Sequence, residues 1–93
     1  MRPPDTMNLR EFGILLREKH PEWIAGGNIA RIINIIRDEA CTLNPNPTLG
    51  MVRESLRERR PFNSEDLQRI KRTPGIGQRA LDLFLRVVGD YIL

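Results

Sequence analysis

The residues with the most evident chemistry lie at 73–79, where Thr-Pro-Gly-Ile-Gly-Gln-Arg separates two helical patterns. Pro74 fixes its own φ and disfavours helix in the residue before it, so we expect the first helix to stop here. Gly75 and Gly77 permit a positive φ or the close approach of another group. The helix that follows has first-turn N–H groups without intrahelical partners, and Arg79 adds a positive charge beside them. This combination of donors and charge favours binding of a phosphate group.

A phosphate at this turn would be held as helix beginnings generally hold anions. The backbone N–H groups of residues 75–77 would donate to it, and side chains on either side would contact neighbouring phosphates. Such contacts position a protein on a nucleic acid but read no bases. The candidate phosphate-binding residues are Lys71, Arg72, Gly75, Ile76, Gly77, Gln78 and Arg79.

The same stretch, extended on both sides, resembles a helix-hairpin-helix motif. The matching positions are Leu67, Ile70, Pro74, Gly75, Ile76, Gly77, Arg79 and Ala80. Residues 67–85 also resemble the hairpin in the C-terminal domain of the RNA polymerase alpha subunit, which is a small helical bundle. The resemblance implies a duplex DNA partner, bound through its phosphate backbone and largely without regard to base sequence. An ordinary helical hairpin with a glycine-rich turn is the alternative that the residues leave open.

The chain as a whole is predicted to form one helical domain at residues 8–93, preceded by a loose arm at residues 1–7. No segment has convincing polar–apolar alternation, so no strand is predicted. Predicted helices run from residue 9 to about 19, from 28 to about 43 and from 49 to 60, followed by the hairpin motif at 64–92. The expected fold is all-α, a small bundle of about five helices that ends in a helix-hairpin-helix.

The helix predicted at 28–43 is expected to be the central and most buried one. Its apolar residues at helical spacing are Ile29, Ile32, Ile33, Ile36, Ala40 and Leu43. Isoleucine prefers strands, but the spacing and the length of the segment favour a helix. Asn28 is the expected N-cap of this helix. Asn8 and Thr48 are the expected N-caps of the helices that begin at residues 9 and 49.

A basic side is predicted on the helix at 49–60. Its outward residues include Arg53, Arg57, Arg59 and Arg60. Glu54 and Glu58 favour the alternative, which is a solvated face with local ion pairs. If this helix lies on the same side as the hairpin, the last three arginines would extend the row of phosphate contacts.

Composition and isolated residues argue against several classes of function. The 93 residues carry a net charge of +3 and a sequence pI of about 9.8, which permits a nucleic-acid partner without requiring one. Cys41 and His20 are each alone, so neither a disulfide framework nor a zinc site is predicted. No nucleophile has a plausible base, and no Walker loop is present. We therefore expect no enzyme, no cofactor and no metal.

The sequence also suggests where the protein works. No run of apolar residues approaches the length of a membrane span. Residues 1–6 contain no apolar stretch of the kind found in secretory signals. We therefore expect a cytoplasmic protein with no membrane partner.

A second function fits the same residues. Residues 80–92 are apolar around most of the predicted helix, which is more than packing on one side requires. That excess favours a protein-interaction module of a transcription or phage regulatory complex, with a protein partner on the apolar side of 80–92 and no direct DNA binding. A basic surface centred on the hairpin would favour DNA, whereas a neutral or acidic rim with an apolar patch elsewhere would favour protein.

Overall fold

A computed structural model describes residues 2–40, 43–57 and 64–93, and in these residues the chain has the expected all-α fold. The helices are α1 (Leu9–Lys19), α2 (Asn28–Glu39), α3 (Leu49–Arg57), α4 (Ser64–Lys71) and α5 (Gln78–Val87). Helix α2 packs against α1, α3 and α5, so it is the centre of the bundle, as its isoleucine spacing predicts.

The connections between the helices are partly helical themselves. Two short 3-10 turns at Pro21–Trp23 and Ala25–Gly27 link α1 to α2, and a π-helical turn at Val88–Ile92 continues α5. The ranges that the structure describes contain no strand, and an isolated bridge between Asn8 and Thr48 is their one β-type pairing. That bridge ties the start of α1 to the start of α3.

Local hydrogen bonds set where α1 and α3 begin. The Asn8 side chain accepts from the Glu11 N–H at 2.8 Å, and the Glu11 carboxylate accepts from the Asn8 N–H at 3.2 Å. This reciprocal capping box satisfies two backbone groups that a helix start leaves unpaired. The Thr48 hydroxyl accepts a longer bond of 3.4 Å from the Met51 N–H. The caps predicted at Asn8 and Thr48 are therefore confirmed.

Helix α2 begins and ends differently from its prediction. Its N-cap is Gly27, whose φ of 70° lies in the left-handed region, and Asn28 is the first helical residue rather than the cap. The helix ends one turn earlier than predicted, and Leu43 is fully exposed instead of lying on the apolar face. Arg37, in the last turn of the helix, donates to the Pro45 carbonyl of the following connector at 2.8 Å.

The apolar core lies between α2 and the helices around it. Ile33 and Ile36 are both buried there, as predicted. The other elements contribute Leu9, Phe12, Leu16, Leu49, Val52, Leu56, Ile70, Leu81, Phe84, Val87, Val88 and Ile92. Both hairpin helices place residues in this core. The two ends of the turn that joins them are therefore held by apolar packing.

Arg53 lies inside the protein, although the sequence places it on the outer, basic side of α3. Its side chain is 2% exposed and pairs with the Asp5 carboxylate. It also donates to the backbone carbonyls of Pro3 at 2.7 Å, Tyr91 at 3.0 Å and Ile92 at 2.8 Å. The prediction is wrong because these acceptors, drawn from both ends of the described chain, make the burial of a charged group tolerable.

Residues 3–7, predicted to belong to a loose arm, make defined contacts with the start of α3. The Met7 carbonyl accepts from the Leu49 N–H at 2.7 Å, and the Asp5 carbonyl accepts from the Gly50 N–H at 3.0 Å. These bonds satisfy N–H groups that the first turn of α3 cannot pair internally. The arm is thus part of the folded domain through its backbone as well as through Arg53.

Candidate nucleic-acid interface

A compact turn of residues 72–77, here called the 72–77 turn, joins α4 to α5. The Thr73 N–H donates to the Ile70 carbonyl and the Ile76 N–H donates to the Thr73 carbonyl, each at 3.1 Å. Gly75 has a φ of 86°, a conformation in which an L side chain is strained. Gly77 has an extended backbone with a φ of −98° and is the N-cap of α5. The turn therefore needs a glycine for its backbone conformation at 75 and not at 77.

The start of α5 presents backbone donors that no side chain caps. Gly77 makes no side-chain cap bond, and the first helical bond runs from the Leu81 N–H to the Gly77 carbonyl at 3.1 Å. The N–H groups of Gln78, Arg79 and Ala80 consequently have no intrahelical acceptor. Gly77, Gln78 and Arg79 are all exposed. An anion could therefore approach the positive end of the α5 dipole from solvent.

Two of the predicted phosphate contacts differ in the structure. The Ile76 N–H is already bonded to the Thr73 carbonyl within the turn, so it is not free for a phosphate as predicted. The Gln78 side chain donates to the Asp82 carboxylate at 2.8 Å and is thereby held along α5. Its side chain is thus engaged elsewhere, and the contribution of Gln78 to an anion site is its backbone N–H.

Exposed cations flank the 72–77 turn on both sides. Lys71 precedes it, Arg72 is its first residue, and Arg79 follows it. None of the three has a carboxylate within ion-pair distance among the residues that the structure describes. Their charges are therefore available to an anion near the start of α5.

Arg31 of α2 is a fourth cation at this site, and the sequence reasoning missed it. A Cβ built on Gly75 would lie 4.0 Å from the Arg31 Nε, so the guanidinium is next to the turn. Its Nη1 donates to the Gly26 carbonyl at 2.5 Å, which holds the side chain in place. Within the described part of the chain, Arg31 has no ion pair. No local pattern reveals this contact, because it joins residues far apart in the sequence.

A buried carboxylate fastens α4 to α2. Arg69 donates to the Glu39 carboxylate at 2.6 and 2.9 Å and to the Asp66 carboxylate at 3.1 Å. The Glu39 side chain is 4% exposed, whereas that of Arg69 is 51% exposed. The hydrogen bonds with Glu39 and then with Asp66 raise the pKa of Arg69 above its already high ordinary value. Arg69 therefore stays charged and links α4 to α2. It differs in this from Lys71, Arg72, Arg79 and Arg31, which have no ion pair among the described residues.

The apolar side of residues 80–92 is not a surface patch. Most of its large side chains are buried, namely Leu81, Phe84, Val87, Val88 and Ile92, while Leu83 and Tyr91 are partly buried. Leu85 is 37% exposed, which is a single residue and not a contiguous apolar surface. Packing inside the bundle thus takes up most of the apolar excess of residues 80–92.

The remaining predicted features add little to the site. Arg57 is exposed in α3, while Arg59 and Arg60 lie outside the described residues. In the ranges 2–40, 43–57 and 64–93, no group of three or more His, Cys, Asp or Glu residues is placed to hold a metal ion. None of the helices described there combines the length and apolar character that crossing a lipid bilayer requires.

Comparison with known proteins adds no family to this picture. No protein-family model matches the chain, and no curated protein or solved structure was found to match it. The case for a function therefore rests on the 72–77 turn, the uncapped start of α5 and the charges around them.

Proposed function

We propose that the protein is a DNA-binding module that contacts the phosphate backbone of duplex DNA through α4, the 72–77 turn and α5. The observation that carries this proposal is the uncapped start of α5, exposed at residues 77–79 beside cations that have no carboxylate within ion-pair distance among the described residues. The proposed function is binding alone, with no catalytic step and no cofactor. We also propose a cytoplasmic location, because a single cysteine provides no disulfide framework.

The backbone donors at the start of α5 would hold one phosphate. Its oxygens would accept from the N–H groups of Gln78 and Arg79, where the helix dipole also favours negative charge. Gly77 leaves room for this approach, because a Cβ built on it has no other atom within 4 Å and would itself occupy the open space. The absence of a side chain at this position thus keeps the donors accessible.

The surrounding cations would hold the flanking phosphates. Lys71 lies before the turn, Arg72 begins it, Arg79 lies after it, and Arg31 approaches from α2. About three to five phosphate contacts of this kind give a slope of log K against log salt of roughly −3 to −4.5. The binding should therefore be weak at physiological salt and strongly dependent on ionic strength.

The proposed contacts are indifferent to base sequence. Backbone N–H groups and long cationic side chains recognise phosphate oxygens, which are the same at every base pair. Neither Gly75 nor Gly77 carries a side chain that could reach a base edge. We therefore propose that the hairpin positions the protein on DNA without selecting a site.

A protein-interaction module of a transcription or phage regulatory complex is the alternative function. The apolar side of residues 80–92 favours this alternative, but most of its side chains pack in the core. The exposed residues between 71 and 79 include three cations and no Asp or Glu, which favours DNA over a protein partner at this turn.

Equilibrium titration tests the proposal directly. Two fluorescent duplexes of unrelated sequence are titrated with the full chain at several salt concentrations, and binding is followed by anisotropy. We expect similar affinities for the two duplexes and the salt slope given above. No binding at low salt by the folded protein would remove the DNA proposal, and a large preference for one duplex would contradict its sequence tolerance.

A further inference from the structure

A second surface of the protein is a groove between α1 and α2. It encloses about 380 Å³, within the size range of ligand sites. Its buried lining is apolar and includes Gly13, Ile29 and Ile33. Gly13 lies beside Ile33, and a Cβ built on it would make ordinary van der Waals contact with the Ile33 side chain at 3.6 Å. Ile14, at 50% exposure, adds an apolar wall that is open to solvent.

The charged lining of this groove has one sign. Arg10 and Arg17 come from α1, two helical turns apart on one face, and Arg37 comes from α2. Of the described residues that line the groove, none is Asp or Glu. In the part of the chain that the structure describes, Arg10 and Arg17 have no ion-pair partner. The groove therefore combines an apolar interior with uncompensated positive charge at its rim.

Arg37 is fixed at the rim rather than free to move. Its Nε donates to the Pro45 carbonyl and its Nη1 donates to the Asn34 side chain, both at 2.8 Å. These acceptors are neutral, so they orient the guanidinium without cancelling its charge. A rim cation held in this way loses less conformational freedom when an anionic partner binds.

We propose that the groove between α1 and α2 docks an acidic peptide segment of a partner protein, with a large apolar side chain seated against Ile14 and Ile33. The carboxylates of the segment would meet Arg10, Arg17 and Arg37, which gives charge complementarity across the rim. The apolar interior favours a peptide over a nucleic acid, because phosphate groups gain nothing from isoleucine side chains. This site is separate from the 72–77 turn and does not depend on the DNA proposal.

Peptide selection on the intact protein tests the inference. Short random peptides displayed on phage are selected on the immobilised full chain and counter-selected on the double variant Arg10→Glu/Arg17→Glu. We expect the enriched peptides to combine Asp or Glu with at least one large apolar residue. The best peptide is then synthesised and its binding mapped by amide chemical shifts of the labelled protein, where Gly13, Ile14 and Ala30 should move.

Matched variants separate the groove from general surface effects. Ile14→Ser should weaken the peptide about tenfold, as truncation of an interface anchor does. Ile24→Ser is its control, because Ile24 is also 50% exposed but does not line the groove. Arg17→Glu is matched by Lys19→Glu, since both residues lie in the last turn of α1. Circular dichroism establishes that each variant remains folded.

Several results would overturn the inference. Among them are failure to enrich any peptide, enrichment of peptides without acidic residues, and equal losses in the variants and their controls. Displacement of the peptide by duplex DNA, with the same amides shifting, would assign the groove to nucleic acid instead. Loss of DNA binding in a hairpin variant that keeps full peptide affinity would leave the docking inference standing.

Discussion

The Arg69 guanidinium holds the buried Glu39 carboxylate through two hydrogen bonds, of 2.6 and 2.9 Å. Arg69 belongs to α4 and Glu39 to the end of α2, so the pair links the hairpin to the centre of the bundle. A buried carboxylate without such a partner would be costly, because water no longer solvates it. The orientation of the hairpin is therefore fixed by a polar contact in addition to its apolar packing.

Replacing Arg69 with Leu should destabilise the protein. The Glu39 carboxylate would lose its two hydrogen bonds from Arg69, and we expect the free energy of unfolding to fall by about 1–3 kcal/mol. The loss is smaller than for a fully buried pair because Arg69 is half-exposed. Asp90→Asn is the control, since the Arg86–Asp90 pair is exposed on both sides and 3.8 Å long. It should change stability by less than about 0.5 kcal/mol. Urea unfolding measures the stability of both variants. Equal effects would mean that the Arg69–Glu39 pair stabilises the protein no more than an exposed ion pair does.

Replacing Arg53 with Met should be among the most destabilising single changes on α3. The substitution keeps much of the side-chain volume but leaves carbonyls of both chain ends without a donor, at a cost of about 2–4 kcal/mol. Arg57→Met is the matched control, because Arg57 is exposed on the same helix. Urea unfolding should show little change for the control. A small change for Arg53→Met would imply that the arm and the C-terminal turn hold their places without it.

Replacing Gly75 with Ala should strain the 72–77 turn. Its φ of 86° disfavours an L side chain, so we expect the free energy of unfolding to fall by about 1–2 kcal/mol. Asn tolerates this conformation better than Ala, so Gly75→Asn should lose less. Thermal unfolding of the two variants is the measurement. Equal stability of Gly75→Ala and the parent chain would contradict the positive φ.

Local patterns predicted much of this fold. The apolar spacing of α2 placed Ile33 and Ile36 in the core, and Asn8 marked the start of α1. Both features depend on residues that are close together in the sequence. Apolar periodicity and helix capping can therefore be predicted from the sequence itself. The hairpin helices were recognised for the same reason, since Pro74 and its neighbouring glycines act on their own backbone.

Contacts between distant segments were beyond such patterns. The charge of Arg53 suggests a side chain that faces solvent. Its buried position depends instead on hydrogen-bond acceptors near both ends of the described chain. Arg31 reaches the 72–77 turn only because α2 and the hairpin pack together. Gly75 and Gly77 look alike in sequence, and their different backbone conformations follow from where α5 begins. These features required the three-dimensional arrangement.

Arg31 and Arg79 should contribute to DNA binding through charge alone. Replacing either with Ala should weaken binding to unrelated duplexes about equally and reduce the salt slope by about one, as loss of one phosphate contact does. Arg86→Ala is the control, because Arg86 lies over the Trp23 ring near Asp90 and away from the 72–77 turn in sequence. Anisotropy titrations over a salt series provide the slopes. An unchanged slope for Arg79→Ala would place the phosphate contact elsewhere.

The most direct test of the DNA proposal is the duplex affinity of Gly77→Asp, measured together with its stability. Aspartate is a good N-cap, so the variant should be as stable as the parent or more so by about a few tenths of a kcal/mol. Its carboxylate would occupy the anion site, and we expect affinity at low salt to fall about tenfold or more, since one such contact is worth at least that much.

Two variants complete this measurement. Gly77→Asn adds a side chain of the same shape without charge, and Thr6→Asp makes the same charge change on the exposed arm. We predict the order of affinities to be parent and Thr6→Asp highest, Gly77→Asn lower and Gly77→Asp lowest, with all four proteins folded. A stable Gly77→Asp protein that binds duplex DNA as tightly as the parent chain would contradict a phosphate site at the start of α5.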